Sequence, residues 1–270
     1  MDLSSWLGHA KTTFHCSNKT IDIPLKNGSQ TPLKDLVSSL TPPCRLTPLL
    51  PSGHLQTINT VITKTDVPIH YRRKIFDSND PNYPGTFAVD FVSHTDGLAQ
   101  GKSAGDADEG KRRPAQTRGN QYCPKRTRLF EEDEWAEVEN GSHDTTPMLV
   151  VLHGLSGGSH EVYLKEVLAP LTIGSKEGEQ RWEACVVTAR GCAGSAITSG
   201  VLFNARATWD CRQMVKWLRK KFPNRPLFGV GFSLGANILV DVGFHSCLLC
   251  RRMLAVLLES DCQANLLCVT

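Results

Sequence analysis

The second half of the chain alternates short, wholly apolar runs with amphipathic segments. Each apolar run has the length and the lack of alternation expected of a strand buried in a parallel sheet. These predicted strands are residues 148–152, 184–189 and 227–232. The amphipathic segments predict helices from about residue 161, over 208–222 and from 234. A repeating order of strand and helix predicts an α/β fold with a mostly parallel sheet.

Two features predict where these helices begin and end. Ser159 precedes the first helix and is expected to cap it, since a serine hydroxyl accepts a hydrogen bond from a free backbone N–H of the first turn. Arg219, Lys220 and Lys221 stand in the last turn of the second helix, where cations suit the helix dipole. Pro223 then ends that helix.

The chain before residue 147 divides by texture into three segments. Residues 1–60 are rich in Pro, Ser and Thr and predict a loop-rich N-terminal segment. Residues 61–94 contain the first strands of the domain, over 69–75 and 86–92, the latter with Phe87, Val89 and Phe91 on one face. The third segment is residues 95–146. After it, residues 147–240 hold the α/β core, and residues 241–270 form a tail.

Residues 95–146 have a composition unlike the rest. A block of lysines and arginines is followed by a block of acidic residues, Glu131 to Glu139. Such a stretch buries too little apolar area to offset the entropy of ordering it, so we expect a charged, disordered insertion outside the core. A basic patch for anionic membranes is the alternative, which the neighbouring acidic block weakens.

Composition excludes several classes of protein. Hydrophobic residues make up 40% of the 270 residues and charged residues 21%, as in ordinary globular proteins. A net charge of +3 argues against a nucleic-acid partner. No apolar run has the roughly 18 residues of a membrane span, and the N-terminus does not resemble a secretory signal. The ten cysteines follow no disulfide framework. We therefore expect an intracellular, cytoplasmic protein with reduced thiols.

One motif carries candidate chemistry. Gly231-Phe232-Ser233-Leu234-Gly235 stands where the third apolar run turns into its helix. This is the G-x-S-x-G nucleophile elbow, in which a strained turn exposes the serine hydroxyl. Gly231 and Gly235 supply the small residues that the close approach of strand and helix requires. Ser233 is the predicted catalytic nucleophile.

A second element supports this prediction. His153-Gly154-Leu155 directly follows the first apolar run, where this fold places its oxyanion loop. The backbone N–H groups of Leu155 and Leu234 are the predicted oxyanion hole. His153 is either the catalytic base or a support of the loop, as Gly154 is; we favour support, because in this fold the base follows the serine in the chain.

Three sequence runs resemble motifs of a known family. These runs are His153 to Glu161, Ala189 to Ser195 and Gly231 to Asn237. They are similar to the α/β-hydrolase family of medium-chain fatty-acid ethyl ester synthase/esterases, which includes embryogenesis-associated and abhydrolase-domain lipase-like proteins. Ser52 to Thr57 and Gly85 to Asp90 resemble its N-terminal motifs. The resemblance implies ester hydrolysis, acyl transfer to an alcohol and monoacylglycerol lipase activity, with Ser233 as the matching functional position.

The triad acid and base are not found in the sequence. After Ser233 the only histidine is His245, and the only acid between them is Asp241. On the helix that leaves the elbow, Asp241 would lie roughly 12 Å from Ser233, too far for general-base catalysis. Glu259 and Asp261 follow His245, against the usual order. We therefore expect a hydrolase fold that is truncated after the elbow and lacks its C-terminal strands.

The tail, residues 241–270, departs from the family and is rich in cysteine. Cys247, Cys250, Cys262 and Cys268 admit three interpretations: a metal site, buried thiols on a helix, or a translated stretch that is not family sequence. The last is favoured, so no metal site and no cofactor are predicted.

Two functional hypotheses follow. The first is a serine esterase, lipase and alcohol O-acyltransferase that acts on medium-chain acyl esters or monoacylglycerol through an acyl-serine intermediate, with water or alcohol as acceptor. The alternative is a catalytically inactive, hydrolase-like protein, because the triad acid and base are absent. A lipid substrate leaves room for peripheral contact with membranes or lipid droplets, although no lipidation motif supports it.

Overall fold

The architecture comes from a computed structural model. It describes residues 12–17, 20–25, 27–42, 50, 52–62, 67–94, 122–173, 181–245, 255–258 and 264–267. The chain divides into two compact units, Met1–Thr65 with Ser260–Asn265, and Asp66–Glu259 with Leu266–Thr270. None of the helices in the described part of the chain combines the length and apolar character needed to span a bilayer.

The described part of the first unit holds an antiparallel hairpin and two helices. Their bounds are β1 Asp22–Pro24, β2 Gln30–Pro32, α1 Leu33–Leu40 and α2 Gly53–Ile62. The prediction of a loop-rich segment over residues 1–60 is therefore wrong for these stretches. In α1 the apolar residues recur at helical spacing, as Leu33, Leu36, Val37 and Leu40, a period that the Pro and Ser content obscured.

The second unit is built on a mixed sheet. Its strands are β3 His70–Asp77, β4 Thr86–Ser93, β5 Thr127–Leu129, β6 Met148–Leu152, β7 Glu183–Thr188, β8 Leu227–Phe232 and β9 Ala255–Leu258. A further strand, β10 Ala264–Leu267, has residues in both units. The sheet order is β10-β9-β8-β6-β7-β4-β3-β5. Strands β6, β7, β8 and β9 pair in parallel, and β4 pairs antiparallel with β3 and β7.

Helices link the parallel strands. They are α3 Glu132–Asn140, α4 Val162–Thr172, α5 Trp209–Lys221 and α6 Leu234–His245. The strands and helices predicted from the apolar runs are present, with ends that differ by a residue or two, and the predicted α/β-hydrolase fold class is confirmed.

Buried side chains cover both faces of this sheet. On one face Phe87, Val89 and Phe91 pack in a cluster with Met214 and Leu218 of α5, so their predicted common face is confirmed. The cluster on the other face includes Tyr71, Val92, Val151, Leu164 and Leu168. The parallel strands in the middle are therefore shielded from water on both sides, which explains their lack of polar alternation.

The expected disordered insertion over residues 95–146 is wrong for its second part. Residues 95–121 lie outside the described residues, but residues 122–146 form β5, which pairs with β3, and α3. Trp135 of α3 is 9% exposed and contacts Phe76, Phe91, Phe130 and Trp217. One buried aromatic residue, together with ion pairs of the flanking charges, orders a stretch whose average composition is that of a solvated loop.

The sheet does not end at the elbow strand. Strand β9 pairs in parallel with β8, from Gly229 opposite Ala255 to Phe232 opposite Leu258, and β10 lies beyond β9. The expectation that β8 is the last strand is therefore wrong. The run Ala-Val-Leu-Leu has the apolar, partly β-branched character of a parallel strand. The four tail cysteines lie outside the described residues.

A buried ion pair joins the two strands that begin the second unit. Arg73 and Asp90 are opposite each other in the β3–β4 register, and their side chains make two hydrogen bonds of 2.6 and 2.8 Å. Ser159 also donates to Asp90, at 2.5 Å, and Arg73 donates to the Ala193 carbonyl at 2.8 Å. The predicted cap role of Ser159 is thus wrong, because its hydroxyl bonds the carboxylate; α4 begins after Glu161 without a side-chain cap.

A second pair of the same kind lies near the β3–β4 turn. Arg190 makes hydrogen bonds of 2.8 and 2.7 Å with Asp210 of α5. The same guanidinium donates to the backbone carbonyls of Pro84 and Tyr83. Burial raises the pKa of Asp210, and the Arg190 charge opposes that rise. Each buried arginine therefore connects its carboxylate partner to backbone carbonyls of a neighbouring loop.

Removing one member of the Arg73–Asp90 pair should destabilise the fold. We expect Arg73→Met to lower the free energy of unfolding by about 3–5 kcal/mol, because it leaves the Asp90 carboxylate buried without its counter-charge. Adding Asp90→Leu should recover part of that loss. Urea unfolding measures both. Arg225→Met at the outer Arg225–Asp144 pair, where Asp144 is 36% exposed, should cost about 1 kcal/mol or less. Equal losses at the two sites would contradict the prediction.

Candidate active site

The elbow has the strained geometry that its motif predicts. Ser233 directly follows β8 and precedes α6, it is exposed to solvent, and its φ is +50°. This left-handed backbone is unfavourable for a residue with a side chain. Among the residues that the structure describes, the Ser233 hydroxyl has no hydrogen-bond partner. A serine held in this way presents a free hydroxyl above the end of the sheet.

The two motif glycines are required by close backbone contacts. A Cβ on Gly231 would lie 2.4 Å from the Ala236 Cα, inside the elbow itself. A Cβ on Gly235 would lie 2.5 Å from the carbonyl oxygens of both Leu152 and His153. The start of α6 therefore rests directly on the end of β6, which brings the elbow against the loop that follows β6.

His153 ties that loop to the sheet. The Ala189 N–H donates to its Nε2 at 3.0 Å, so the ring proton is on Nδ1, which donates to the Gly154 carbonyl at 2.6 Å. Burial lowers the pKa of His153 and favours the neutral ring. Both ring nitrogens are occupied by backbone groups, an arrangement that fits a support of the loop and not a base.

The predicted oxyanion donors lie on the elbow and on the loop that follows β6. Leu155 follows Gly154 and is exposed, and Leu234 is the first residue of α6. Within the described residues neither backbone N–H has a hydrogen-bond acceptor. A Cβ on Gly154 would lie 3.7 Å from the Ser233 Cβ, so the loop and the elbow are in contact distance. Backbone N–H groups without an acceptor, one next to Ser233 in the chain and one on the adjacent loop, are of the kind that stabilises a developing negative charge.

The other predicted positions stay apart from the serine. Asp241 and His245 lie on α6, as expected, and the helix rise places Asp241 roughly 12 Å along it from the elbow. His160 faces Glu161, with 3.6 Å between Nε2 and Oε1. Among the described residues, no imidazole bonds to the Ser233 hydroxyl.

A small cavity borders the elbow, and a larger one does not. One of ≈ 30 Å³ lies beneath it, lined in part by Gly154, Thr188, Leu234 and Gly235, and has room for water but not for an acyl chain. A larger surface hollow of ≈ 540 Å³ is lined by residues 77–81, 84–86 and 198 and includes no residue of the elbow or the oxyanion loop. Of these two cavities, the smaller one is lined by residues of the elbow and the oxyanion loop.

Several residues around the site were not predicted. Arg73, Asp90, Arg190 and Asp210 hold the surrounding loops, and Tyr163 bonds to the loop backbone. Asp90 is the one charged residue of the otherwise apolar strand β4, and that pattern is a sequence signal of a buried ion pair. Tyr163 left no such signal, because an aromatic residue on a predicted helix is most often only packed.

Curated relatives agree with this geometry. The monoacylglycerol lipase of Saccharomyces cerevisiae is 33% identical over 243 residues, which are 86% of this chain and 48% of the lipase. Medium-chain fatty acid ethyl ester synthase/esterase 2 of the same yeast is 30% identical over 225 residues, 80% of this chain and 45% of that enzyme. The chain is a homologue of these esterases and lipases.

The predicted resemblance to this family is thereby confirmed. The embryogenesis-associated protein EMB8 of Picea glauca is a further relative, 38% identical over 110 residues, which are 40% of this chain and 23% of that protein. No protein-family model matches the chain. The chain spans about half the length of the first two relatives. The predicted truncation after the elbow is not confirmed, since β9 and β10 follow the elbow strand.

The backbone strain at Ser233 is measurable. We expect Ser233→Gly to be more stable than Ser233→Ala by about 1 kcal/mol, because glycine tolerates the positive φ that alanine resists. Thermal or urea unfolding of the two variants measures the difference. At Lys216, an exposed position inside α5, the same two substitutions should give the opposite order, since glycine is unfavourable in a helix. The same order at both positions would mean that the elbow is not strained.

His153 should make stability depend on pH. Its pKa is lower in the folded state, so the unfolded state binds the proton more readily. The free energy of unfolding should therefore fall as the pH drops below the ordinary histidine pKa of about 6.5. His153→Gln should reduce this slope between about pH 6.5 and 5, although it lowers stability overall. Urea unfolding at several pH values measures the slope, and an unchanged slope in the variant would refute the assignment.

Proposed function

We propose that the protein is a serine esterase or lipase in which Ser233 is the catalytic nucleophile. The observation that carries this proposal is the exposed, left-handed Ser233 between a buried strand and a helix, in contact distance of the loop that holds the Leu155 N–H. Strain of this kind costs free energy and persists where function requires the geometry. A surface serine without a catalytic role has no reason to retain it.

The reaction follows from the arrangement of these groups. The Ser233 Oγ adds to the ester carbonyl carbon and releases its proton, while the carbonyl electrons move onto oxygen. The Leu155 and Leu234 N–H groups stabilise that oxyanion. Collapse of the intermediate expels the alcohol, which takes up a proton, and leaves an acyl-serine. Water then gives a carboxylic acid, and a second alcohol gives a new ester.

The substrate class rests on the relatives. One is named as a lipase of monoacylglycerol and another as a synthase and esterase of medium-chain ethyl esters. We infer a medium-chain acyl ester or a monoacylglycerol as substrate, with water or alcohol as acceptor. Such substrates partition into lipid, so contact with a membrane or lipid-droplet surface is part of this proposal. His153 and Gly154 position the oxyanion loop, and Gly231 and Gly235 allow the elbow to form.

One observation favours the inactive alternative. The Ser233 hydroxyl bonds to no imidazole among the described residues, and His153 is held by backbone groups at both nitrogens. In triad enzymes the loss of the base costs on the order of a millionfold in kcat, and the oxyanion hole and binding retain about 10³ to 10⁴ over water. The chain as given should therefore acylate slowly, and the homology favours a hydrolase over an inert fold.

Covalent labelling tests this proposal. The purified chain is incubated with an alkyl fluorophosphonate and analysed by intact-protein mass and peptide mapping. We expect one phosphonyl group per chain, on Ser233, formed far more slowly than in a triad enzyme. Oxyanion stabilisation should still make Ser233 react faster than other exposed serines.

Two variants define the outcome. Ser233→Ala should abolish the adduct, while Ser39→Ala, which removes an exposed serine of α1, should leave it unchanged. Labelling of Ser233 no faster than that of Ser39 would support the inactive alternative. Rapid labelling with ester turnover would reveal a base, for which His160 is the first residue to substitute.

A further inference from the structure

Tyr163 lies between the oxyanion loop and the elbow strand. It is the second residue of α4, and its ring packs against Phe232, the last residue of β8, with 4.8 Å between ring centroids. Its side chain is nevertheless partly open to solvent, since the residue is 38% exposed. The packing fixes the ring, and the hydroxyl reaches the loop that follows β6.

The phenol oxygen accepts a hydrogen bond from the loop backbone. The Gly154 N–H donates to it at 3.1 Å. The hydroxyl proton is therefore free for a different acceptor, and none of the described residues provides one. Burial raises the pKa of Tyr163, so the hydroxyl keeps this proton at neutral pH. The bond accepted from Gly154 also polarises the hydroxyl and makes it a better donor.

The hydroxyl and the serine both lie close to Gly154. The point that a Gly154 Cβ would occupy lies 3.4 Å from the phenol oxygen and 3.7 Å from the Ser233 Cβ. A Cβ on Gly157 would lie 3.0 Å from the same oxygen. Because both distances are measured to one point beside Gly154, the phenol oxygen and the Ser233 Cβ lie no more than about 7 Å apart. The lack of a side chain at Gly154 keeps that point free of protein atoms.

We propose that the Tyr163 hydroxyl is a third donor to the oxyanion, acting beside the Leu155 and Leu234 N–H groups. This inference rests on the proposed function, because the oxyanion forms only when Ser233 attacks. Removal of one oxyanion donor costs about 10²–10³ in kcat in a water-excluded site. Since Tyr163 is partly exposed, we expect a loss at the lower end, about 10- to 100-fold.

The rate of Ser233 phosphonylation measures this contribution. In that reaction the Oγ–P bond forms, the P–F bond breaks, fluoride leaves and the serine proton passes to solvent. Negative charge builds on the phosphoryl oxygen, as it does on the oxygen of an ester. Tyr163→Phe should lower the second-order rate constant about 10- to 100-fold. Tyr83→Phe is the matched control, because its ring stacks on Trp209 and not on a residue of the elbow strand, and it should react like the original chain.

A substitution that keeps the shape separates donation from support of the loop. Replacing Tyr163 with 3,5-difluorotyrosine leaves the ring in place but makes the hydroxyl more acidic. We expect faster labelling at pH values where this phenol is protonated, and a fall in rate as it ionises and loses the proton it donates. A role limited to holding Gly154 predicts no fall of this kind at the phenol pKa.

The outcomes distinguish this inference from the proposed function. Ser233 labelling that is equally fast in Tyr163→Phe and in the original chain would overturn the role of Tyr163 and leave the nucleophile in place. A flat pH profile in the difluorotyrosine protein would overturn donation as well. Absence of Ser233-dependent labelling in the original chain would overturn both.

Discussion

The buried Arg73–Asp90 pair is the contact on which the arrangement of the loops depends. The β3–β4 register sets the two residues opposite each other, and their mutual charge compensation permits burial. Ser159 donates to Asp90 and thereby holds the end of the oxyanion loop, while Arg73 donates to the Ala193 carbonyl in the turn after β7. The strands at one side of the sheet thus position a loop that begins at its centre.

Backbone sterics made the central part of the site predictable. Gly231, Ser233 and Gly235 are required where a strand turns directly into a helix. Because this turn is local, five consecutive residues suffice to recognise it. The same holds for the parallel strands, whose apolar runs report burial on both faces. Where structure follows from neighbours in the chain, as at β6 and β8, the expected and observed bounds agree.

Contacts with partners on other elements could not be predicted in the same way. Ser159 has the residue type and position of a helix cap, but a carboxylate 69 residues earlier in the chain binds it instead. Residues 122–146 were read from average composition, which cannot show that Trp135 reaches an aromatic cluster or that Arg128 pairs with Glu134. That pair lowers the pKa of Glu134 to about 2. In each case the decisive partner lies on another element.

The same distinction separates the parts of the catalytic apparatus. The nucleophile and the backbone donors are positioned by local chain geometry. A triad acid and base lie on loops distant in sequence, and only the tertiary fold brings them to the serine. Tyr163 lies between these classes: its place on α4 follows from helical periodicity, but its bond to Gly154 depends on how α4 packs on β8. The proposed role of the Tyr163 hydroxyl in oxyanion stabilisation therefore depends on helix packing, and no local sequence motif indicates it.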